Sequence, residues 1–376
     1  MSASNSLEIA FVTETYPPEV NGVAMTIGRL VGGLRARGHQ VRVIRPRQGN
    51  DDVGGEHELA LGGFPLPGYP GLRFGLPAGR RLHGEWRRQR PDLVHVVTEG
   101  PLGWSAVNAA RRLGIPVTSG FHTNFDRYSV HYGLGWMRPA VAAYLRTLHR
   151  RTRATLVPTA ALAADLAGEG LPGVRVVGRG VDTELFDSAR RNATLRQAWS
   201  AGEGPVCLYV GRLAPEKNLT LVEKTFAAIQ VWQPQARMVW VGDGPAARRL
   251  AAEHPDHHFA GQRVGEDLAR HYASADLFLF PSLTETYGNV VAEAMASGLP
   301  VLAYRSAAAA ELIDDGRNGR LVSPGDEAGF RQAAIDLCGQ PERLPTMGAA
   351  ARQALHGHHW GAVVERFEAV IREALG

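Results

Sequence analysis

Short apolar runs alternate with amphipathic stretches along almost the whole chain. LEIAFVT (7–13) leads into a helical stretch over about 22–37, which Gly38 ends, and QVRVIRP follows. DLVHVVT (92–98) precedes an alanine-rich helix over 104–113 and then IPVTSG. Past residue 200 the alternation restarts with PVCLYVG, a helix over 217–230, ARMVWVG, a helix over 246–252 and HHFAG. It continues through a helix over 266–273, ADLFLF, a helix over 288–297, LPVLAY and LVSPGD. Apolar strands separated by helices predict parallel sheets covered on both faces. Two such series, each too short for a closed barrel, predict two doubly wound α/β domains. Ligands then bind beyond the C-terminal ends of the strands, in the cleft the domains face. The polar segment 178–197 (GRGVDTELFDSARRNATLRQ) reads as the hinge. A last helix, about 359–375, stripes Trp360, Val363, Val364, Phe367, Val370, Ile371 and Leu375 along one side and needs a surface to pack on.

Length agrees with this division, since 376 residues suit two domains of about 180 residues each. Apolar runs such as LFLFP and LVEKTFAAI are too short or too polar to span a bilayer. No charged segment followed by an apolar one opens the chain, so no signal peptide is expected. Two cysteines, Cys207 and Cys338, both in apolar surroundings, suit a reducing cytoplasm and give neither a disulfide framework nor a zinc cluster. Charge is unevenly placed. Residues 1–190 hold 23 Lys+Arg against 16 Asp+Glu, a net of +7, while 191–376 hold 18 against 21, a net of −3. A basic first half fits an anionic partner, such as lipid headgroups, nucleic acid or a phosphorylated substrate, and fits a solvated arginine surface equally well.

Four stretches carry candidate chemistry. In PSLTETYGNVVAEAMASG (281–298) a helix opens near Gly288-Asn289, so the backbone N–H groups of Tyr287, Gly288, Asn289 and Val290 offer a positive end to an anion. Glu285 could accept hydrogen bonds from sugar hydroxyls, and Glu293 could take a ribose diol; capping and surface roles are the plain alternatives. In YVGRLAPEKNL (209–219) Arg212 supplies a forked donor and Lys217 a compact charge, a pair suited to a diphosphate; a solvated helix start is the plain alternative. Lys217 is one of only two lysines, beside 39 arginines. In ETYPPEVNGVAMTIGRL (14–30), Asn21-Gly22 opens a helix where Gly22 lets backbone approach a phosphate. In GFHTNFDRYSVHYGLGW (120–136), His122 follows a strand and could meet a sugar hydroxyl or pack in the core, with a glycine- and aromatic-rich loop beyond it. Next to it, 137–156 reads as helical with Arg138, Arg146, His149, Arg150, Arg151 and Arg153, a basic face suited to anionic lipid or simply to solvent. VGDGPAA (241–247) also matches the dinucleotide fingerprint, although it follows a second strand and Pro245 removes an amide.

Taken together, Glu285-x7-Glu293 within PSLTETYGNVVAEAMASGLPV, GRLAPEKNL, GRGVDTELF and VGDGP resemble, in order and spacing, the retaining glycosyltransferase family 4 with its GT-B fold. The resemblance runs from about residue 7 to 340. VTETYPPEVNGVAMTI and GRGVDTELF are most similar to bacterial GDP-mannose-dependent mannosyltransferases, including those acting on phosphatidylinositol mannosides. They also resemble glycolipid synthases that use UDP-sugars on diacylglycerol. The resemblance implies a GT-B fold of two Rossmann-like domains, an acceptor-binding one over 1–185 and a nucleotide-sugar-binding one over 200–355. The C-terminal helix, 356–376, would then cross back to the first domain. It further implies that Glu285 holds donor-sugar hydroxyls and Glu293 the ribose, and that Arg212 and Lys217 neutralise the leaving diphosphate. Amides from Tyr287 to Val290 complete that pocket, Gly22 closes on the phosphate, His122 contacts the sugar, and Asp243 and Gln262–Val264 lie near the base. At the first helix Asn21-Gly22-Val23 stands in place of a double glycine.

The implied reaction is hexosyl transfer with retention, by attack on the face the nucleotide leaves, to a lipid or glycan acceptor. No D-x-D motif stands in a loop, so no cofactor and no divalent metal are expected. Closure about 178–197 would exclude water. The implied partners are a nucleotide sugar, an acceptor and an anionic membrane surface met through the basic half, without nucleic acid, and the implied location is the inner face of the cytoplasmic membrane. An epimerase would leave the 121–137 loop idle, a dehydrogenase would need a nicotinamide, and a binding module would not need Arg212, Lys217 and both acids at once.

Overall fold

The computed structural model describes residues 6–19, 21–49, 51–65, 73–121 and 138–376. These divide into two compact units, one of residues 1–179 with 360–376, the other of 180–359.

In the first unit the strands are β1 (Glu8–Val12), β2 (Gln40–Pro46), β3 (Glu58–Leu61), β6 (Leu93–Val96), β7 (Val117–Gly120), β8 (Ala154–Val157) and β9 (Val174–Val176). They form one parallel sheet in the order β3-β2-β1-β6-β7-β8-β9, while β4 (Gly63–Pro65) and β5 (Arg73–Gly75) make a small antiparallel pair. Alternate residues of each strand face opposite layers, as the two-residue repeat requires. Ile9 and Phe11 of β1 pack with the Gly22–Ala36 helix and with Val363, Val364, Phe367 and Ile371 of the Trp360–Leu375 helix. Ala10 and Val12 face the other way, onto the Gly79–Arg88, Pro101–Arg112 and Arg138–His149 helices. The striped C-terminal helix thus finds its surface in this unit. Arg37 Nε donates to Glu368 Oε2 at 2.6 Å, and His39 Nε2 lies 3.3 Å from the other oxygen.

The second unit contains β10 (Val206–Val210), β11 (Arg237–Val241), β12 (His258–Gly261), β13 (Leu277–Phe280), β14 (Val301–Tyr304) and β15 (Gly319–Val322). They form a parallel sheet in the order β12-β11-β10-β13-β14-β15. Every residue of β10 and β13 is buried, which explains why these strands read as unbroken apolar runs. Cys207 and Cys338 are buried in this core.

Three expectations change. From Gly180 onward the supposed hinge folds into the second unit: Val181 and Phe186 are buried, and Arg352 binds Asp187 and the carbonyls of Phe186 and Ala296. Its polar letters serve bonds to residues distant in sequence. The alanine-rich helix begins at Pro101, where proline suits the first turn. The helix expected over 217–230 is a 3-10 turn, Pro215–Lys217, then Asn218 in the left-handed region (φ 56°), then Leu219–Trp232. Among the described residues no helix is long and apolar enough to cross a membrane.

Candidate functional site

In a doubly wound sheet the strand order reverses at one place, and the loops leaving the two strands there diverge to open a crevice. In the second unit that place lies between β10 and β13. The loop after β10 carries Arg212 and Lys217, and the loop after β13 carries Glu285. Three side chains knit these loops together. Lys217 Nζ lies 2.5 Å from Glu285 Oε1, Asn218 Nδ2 donates to Pro281 O at 3.3 Å, and Thr284 Oγ1 donates to Glu216 O at 3.1 Å. Ser282 Oγ adds a 2.9 Å bond to the same Glu285 oxygen. Arg212 sits 3.7 Å from the buried Glu216 carboxylate, while Tyr209 donates to the Arg212 carbonyl. Two cations and two carboxylates, Arg212 beside Glu216 and Lys217 against Glu285, therefore stand at the C-terminal edge of the sheet.

The Asn289–Ala296 helix starts beside them. Its N-cap is Gly288, at φ +90°, and no side chain caps it. A residue with a Cβ would be strained there. The Tyr287 side chain is buried in the core, and its carbonyl accepts from Ala308 N, so only its backbone is in keeping with a pocket role. Val290 is half-buried against the same core and Asn289 half-buried at the first turn. Glu285 does not cap this helix, since its bonds go to Lys217 and Ser282.

Glu293 is neither an exposed residue nor a cap. It is half-buried, and Tyr272 Oη donates to its Oε2 at 3.0 Å. Burial pushes its carboxyl up to about 7, while the Tyr272 bond opposes the rise. Tyr272 was not singled out in the sequence because a tyrosine within HYASADLFLF reads as core.

The glycines of VGDGPAA have a packing reason. A Cβ on Gly242 would lie 2.0 Å from Gly211 O, and one on Gly244 2.4 Å from Leu213 O. Leu213 N bonds Asp243 O and Ala246 N bonds Leu213 O, both at 2.9 Å. The glycines let this loop run against the one carrying Arg212 and Lys217, which accounts for the fingerprint without a dinucleotide. The Asp243 side chain is exposed and accepts from Gly244 N. Val264, 56% exposed, is the N-cap of the Gly265–Ser274 helix.

In the first unit the order reverses between β1 and β6. Glu14 follows β1 and Glu99 follows β6, and both are buried. Burial pushes the Glu14 carboxyl up to about 7, the nearby Glu99 charge adding to the rise while the Leu102 and Gly75 backbone N–H groups oppose it. Neither acid was singled out in the sequence. Gly22 begins the first helix, where Asn21 Oδ1 accepts from Val23 N and Ala24 N. Two first-turn amides that a double glycine would leave open are thus engaged by the asparagine. His122 lies outside the described residues.

The basic face expected over 137–156 is corrected in part. His149 is buried, with Nδ1 2.9 Å from Ser119 Oγ and Nε2 3.5 Å from Glu99 Oε1. Arg151 covers the Trp104 ring at 4.7 Å, and Arg153 binds the carbonyls of Ala374 and Leu375. Arg146, Arg150 and Arg153 remain exposed. More exposed arginine stands on the Gly79–Arg88 helix, at Arg80, Arg81, Arg87 and Arg88. Among the described residues, Glu223, Glu253 and His254 bring metal-type ligand atoms within 4.8 Å, but the Arg249 guanidinium already binds both acids.

A family model described as Glycosyltransferase Family 4 matches residues 20–185, and one described as Glycosyl transferases group 1 matches 204–340. A GDP-mannose-dependent alpha-mannosyltransferase of Mycobacterium tuberculosis (strain CDC 1551 / Oshkosh) is 35% identical over 96% of this chain and 94% of its own. The sulfoquinovosyl transferase SQD2 of Arabidopsis thaliana is 31% identical over 97% of this chain and 73% of its own. Among solved structures, a sucrose-phosphate synthase from Thermosynechococcus elongatus superposes with a TM-score of 0.79 at 19% identity, covering 97% of this chain and 98% of that one. That last likeness concerns the fold, which is the two-Rossmann GT-B architecture.

Proposed function

The chain belongs to glycosyltransferase family 4 and is a hexosyltransferase, and from that premise we propose that it moves mannose from GDP-mannose to a membrane-associated lipid or glycolipid, with retention. The observation that carries this reading is the meeting of Lys217 and Glu285 at the reversal point of the second sheet, with Arg212 on the same loop as Lys217, in a chain 35% identical to a relative named for GDP-mannose.

Arg212 and Lys217 take the diphosphate, and the positive end of the Asn289–Ala296 helix adds to their field. Glu285 commits one oxygen to Lys217 and Ser282 and turns the other to hydroxyls of the hexose. Glu293 receives the ribose diol. As the bond from the anomeric carbon to the phosphate oxygen breaks, charge grows on the leaving phosphate, where the two cations stabilise it more than in the ground state. An acceptor oxygen bonds to the anomeric carbon on the same face, and its proton passes to the departing phosphate oxygen. No side chain forms a covalent intermediate and no divalent metal is required; activity therefore persists in excess chelator. Asp243 and Val264 of the second unit complete the surroundings of the nucleotide as the family resemblance implies. The acceptor belongs to the first unit, whose exposed arginines Arg80, Arg81, Arg87 and Arg88 meet the anionic headgroups at the cytoplasmic face of the membrane.

The test is transfer by purified protein offered GDP-mannose, UDP-glucose and UDP-glucuronate separately with vesicles of mixed lipid. Mannosyl transfer to lipid from GDP-mannose is the expected result. A preference for UDP-sugars would instead place the protein with glycolipid synthases. Transfer from none of the three would overturn the assignment.

A further inference from the structure

Glu293 is held from one side by a residue that no motif marks. Tyr272 lies on the Gly265–Ser274 helix, fully buried, with its ring wedged edge-on between Phe186 and Phe278, each 5.8 Å away between centroids. Two such neighbours leave the ring one slot, so its hydroxyl is aimed by packing. That hydroxyl donates to Glu293 Oε2 at 3.0 Å.

We infer that Tyr272 is a positioning residue for nucleotide recognition, fixing the plane of the Glu293 carboxylate so that its remaining acceptor sites meet the ribose diol. The inference rests on the proposed ribose role of Glu293. A carboxylate has about four lone-pair sites. Tyr272 uses one and leaves an outward set in a single orientation, whereas an untethered carboxylate rotates and loses that preorganisation.

The alternative is a core tyrosine that merely satisfies its own hydroxyl, and the two roles separate experimentally. Ionised Glu293 accepts from the diol and protonated Glu293 does so poorly, so nucleotide binding weakens as pH falls through the carboxyl's range. The Tyr272 bond favours the ionised form, so removing it moves that acid limb to higher pH. Tyr272 is the ionisable group whose contact shifts Glu293, and Tyr209 on β10 in turn acts on Tyr272. Of the elements packed against the Glu293 helix, Leu344–Ala354 carries Arg352, committed to Asp187 and to Ala296 O, and Ala307–Leu312 carries the exposed Glu311.

The experiment is calorimetric titration of the full chain, wild type and Tyr272→Phe, with GDP and with 2′-deoxy-GDP between pH 5.5 and 9. If the protein takes uridine nucleotides, UDP and its 2′-deoxy form replace them. Wild type should bind the ribose form about tenfold tighter than the deoxy form at neutral pH, one hydrogen bond to a charged group. In Tyr272→Phe that ratio should fall severalfold and the acid limb should move up, with recovery at pH 9. Both nucleotides are read in the same protein, so an effect of the variant on folding cancels from the ratio. If Tyr272→Phe does not fold, 3,5-difluorotyrosine at 272, a stronger donor of nearly equal volume, should move the limb to lower pH. A wild type blind to the 2′-hydroxyl would overturn the ribose reading of Glu293. A discriminating wild type whose variants keep the same ratio and the same limb would overturn the role of Tyr272 alone.

Discussion

Replacing Lys217 with alanine should separate the two tasks that its ammonium performs, one in the resting protein and one during transfer. At rest, Nζ lies 2.5 Å from Glu285 Oε1, and the two side chains are only 13% and 16% exposed. At an effective dielectric of about 20, charges this close attract with a gross energy of about 7 kcal/mol. Desolvating both groups offsets most of it. Truncation leaves Glu285 with the Ser282 hydroxyl and strands part of its charge, so we expect a stability loss of about 2 kcal/mol. In the proposed transfer the same charge acts on the leaving phosphate. Removing one preorganised group that stabilises developing charge costs about 3 kcal/mol, or roughly a hundredfold in kcat. Urea unfolding gives the first quantity and steady-state transfer the second. In Lys217→Ala/Glu285→Gln the stability loss should largely vanish, because no charge is left stranded, while kcat should stay as low or lower. A Lys217→Ala enzyme with kcat within threefold of wild type would refute the role assigned to this charge. Equal stability losses in the single and double variants would refute the ion-pair reasoning.

Other consequences follow from the same structure. Gly242→Ala would push a Cβ to 2.0 Å from Gly211 O at a backbone φ of +134°, so its urea midpoint should reveal a loss of about 3 kcal/mol or more, and a loss under about 1 kcal/mol would contradict the close-approach account. Glu14 keeps in the folded chain a proton that the unfolded chain releases between pH 4.5 and about 7, so stability should fall as pH rises through that window, by about 3 kcal/mol in full. Glu14→Gln should therefore gain stability over wild type at pH 8 but not at pH 4, as read by denaturant unfolding at each pH. Replacing Arg80, Arg81, Arg87 and Arg88 with glutamate should abolish binding to anionic vesicles at low salt and leave nucleotide binding unchanged, as vesicle sedimentation and calorimetry would report.

Much of the fold was legible because strands buried on both sides are written as continuous apolar runs. LFLF and VCLYV could hardly be anything else. The Gly79–Arg88 helix was hidden because only Leu82 and Trp86 turn inward among its arginines. The status of 180–197 was hidden for a related reason: a segment anchored by Val181, Phe186 and the Arg352–Asp187 pair has polar letters whose bonds are made to distant residues. The sequence singled out Arg212, Lys217 and Glu285 as candidates, but it could not reveal that Lys217 and Glu285 bind each other, since that contact spans 68 residues. Tyr272, Ser282, Glu14 and Glu99 were missed because their significance lies in what they touch. His149 misled in the opposite sense, as its place among arginines suggested a surface whereas Ser119 and Glu99 draw it inward.

The most direct test of the account is calorimetric titration of the unmodified protein with GDP and with UDP, followed by GDP-mannose in the presence of acceptor vesicles. The account predicts that GDP binds at least tenfold tighter than UDP and that GDP-mannose is consumed with mannose appearing in the lipid fraction. Binding of neither nucleotide would contradict the donor site drawn around Arg212, Lys217 and Glu285.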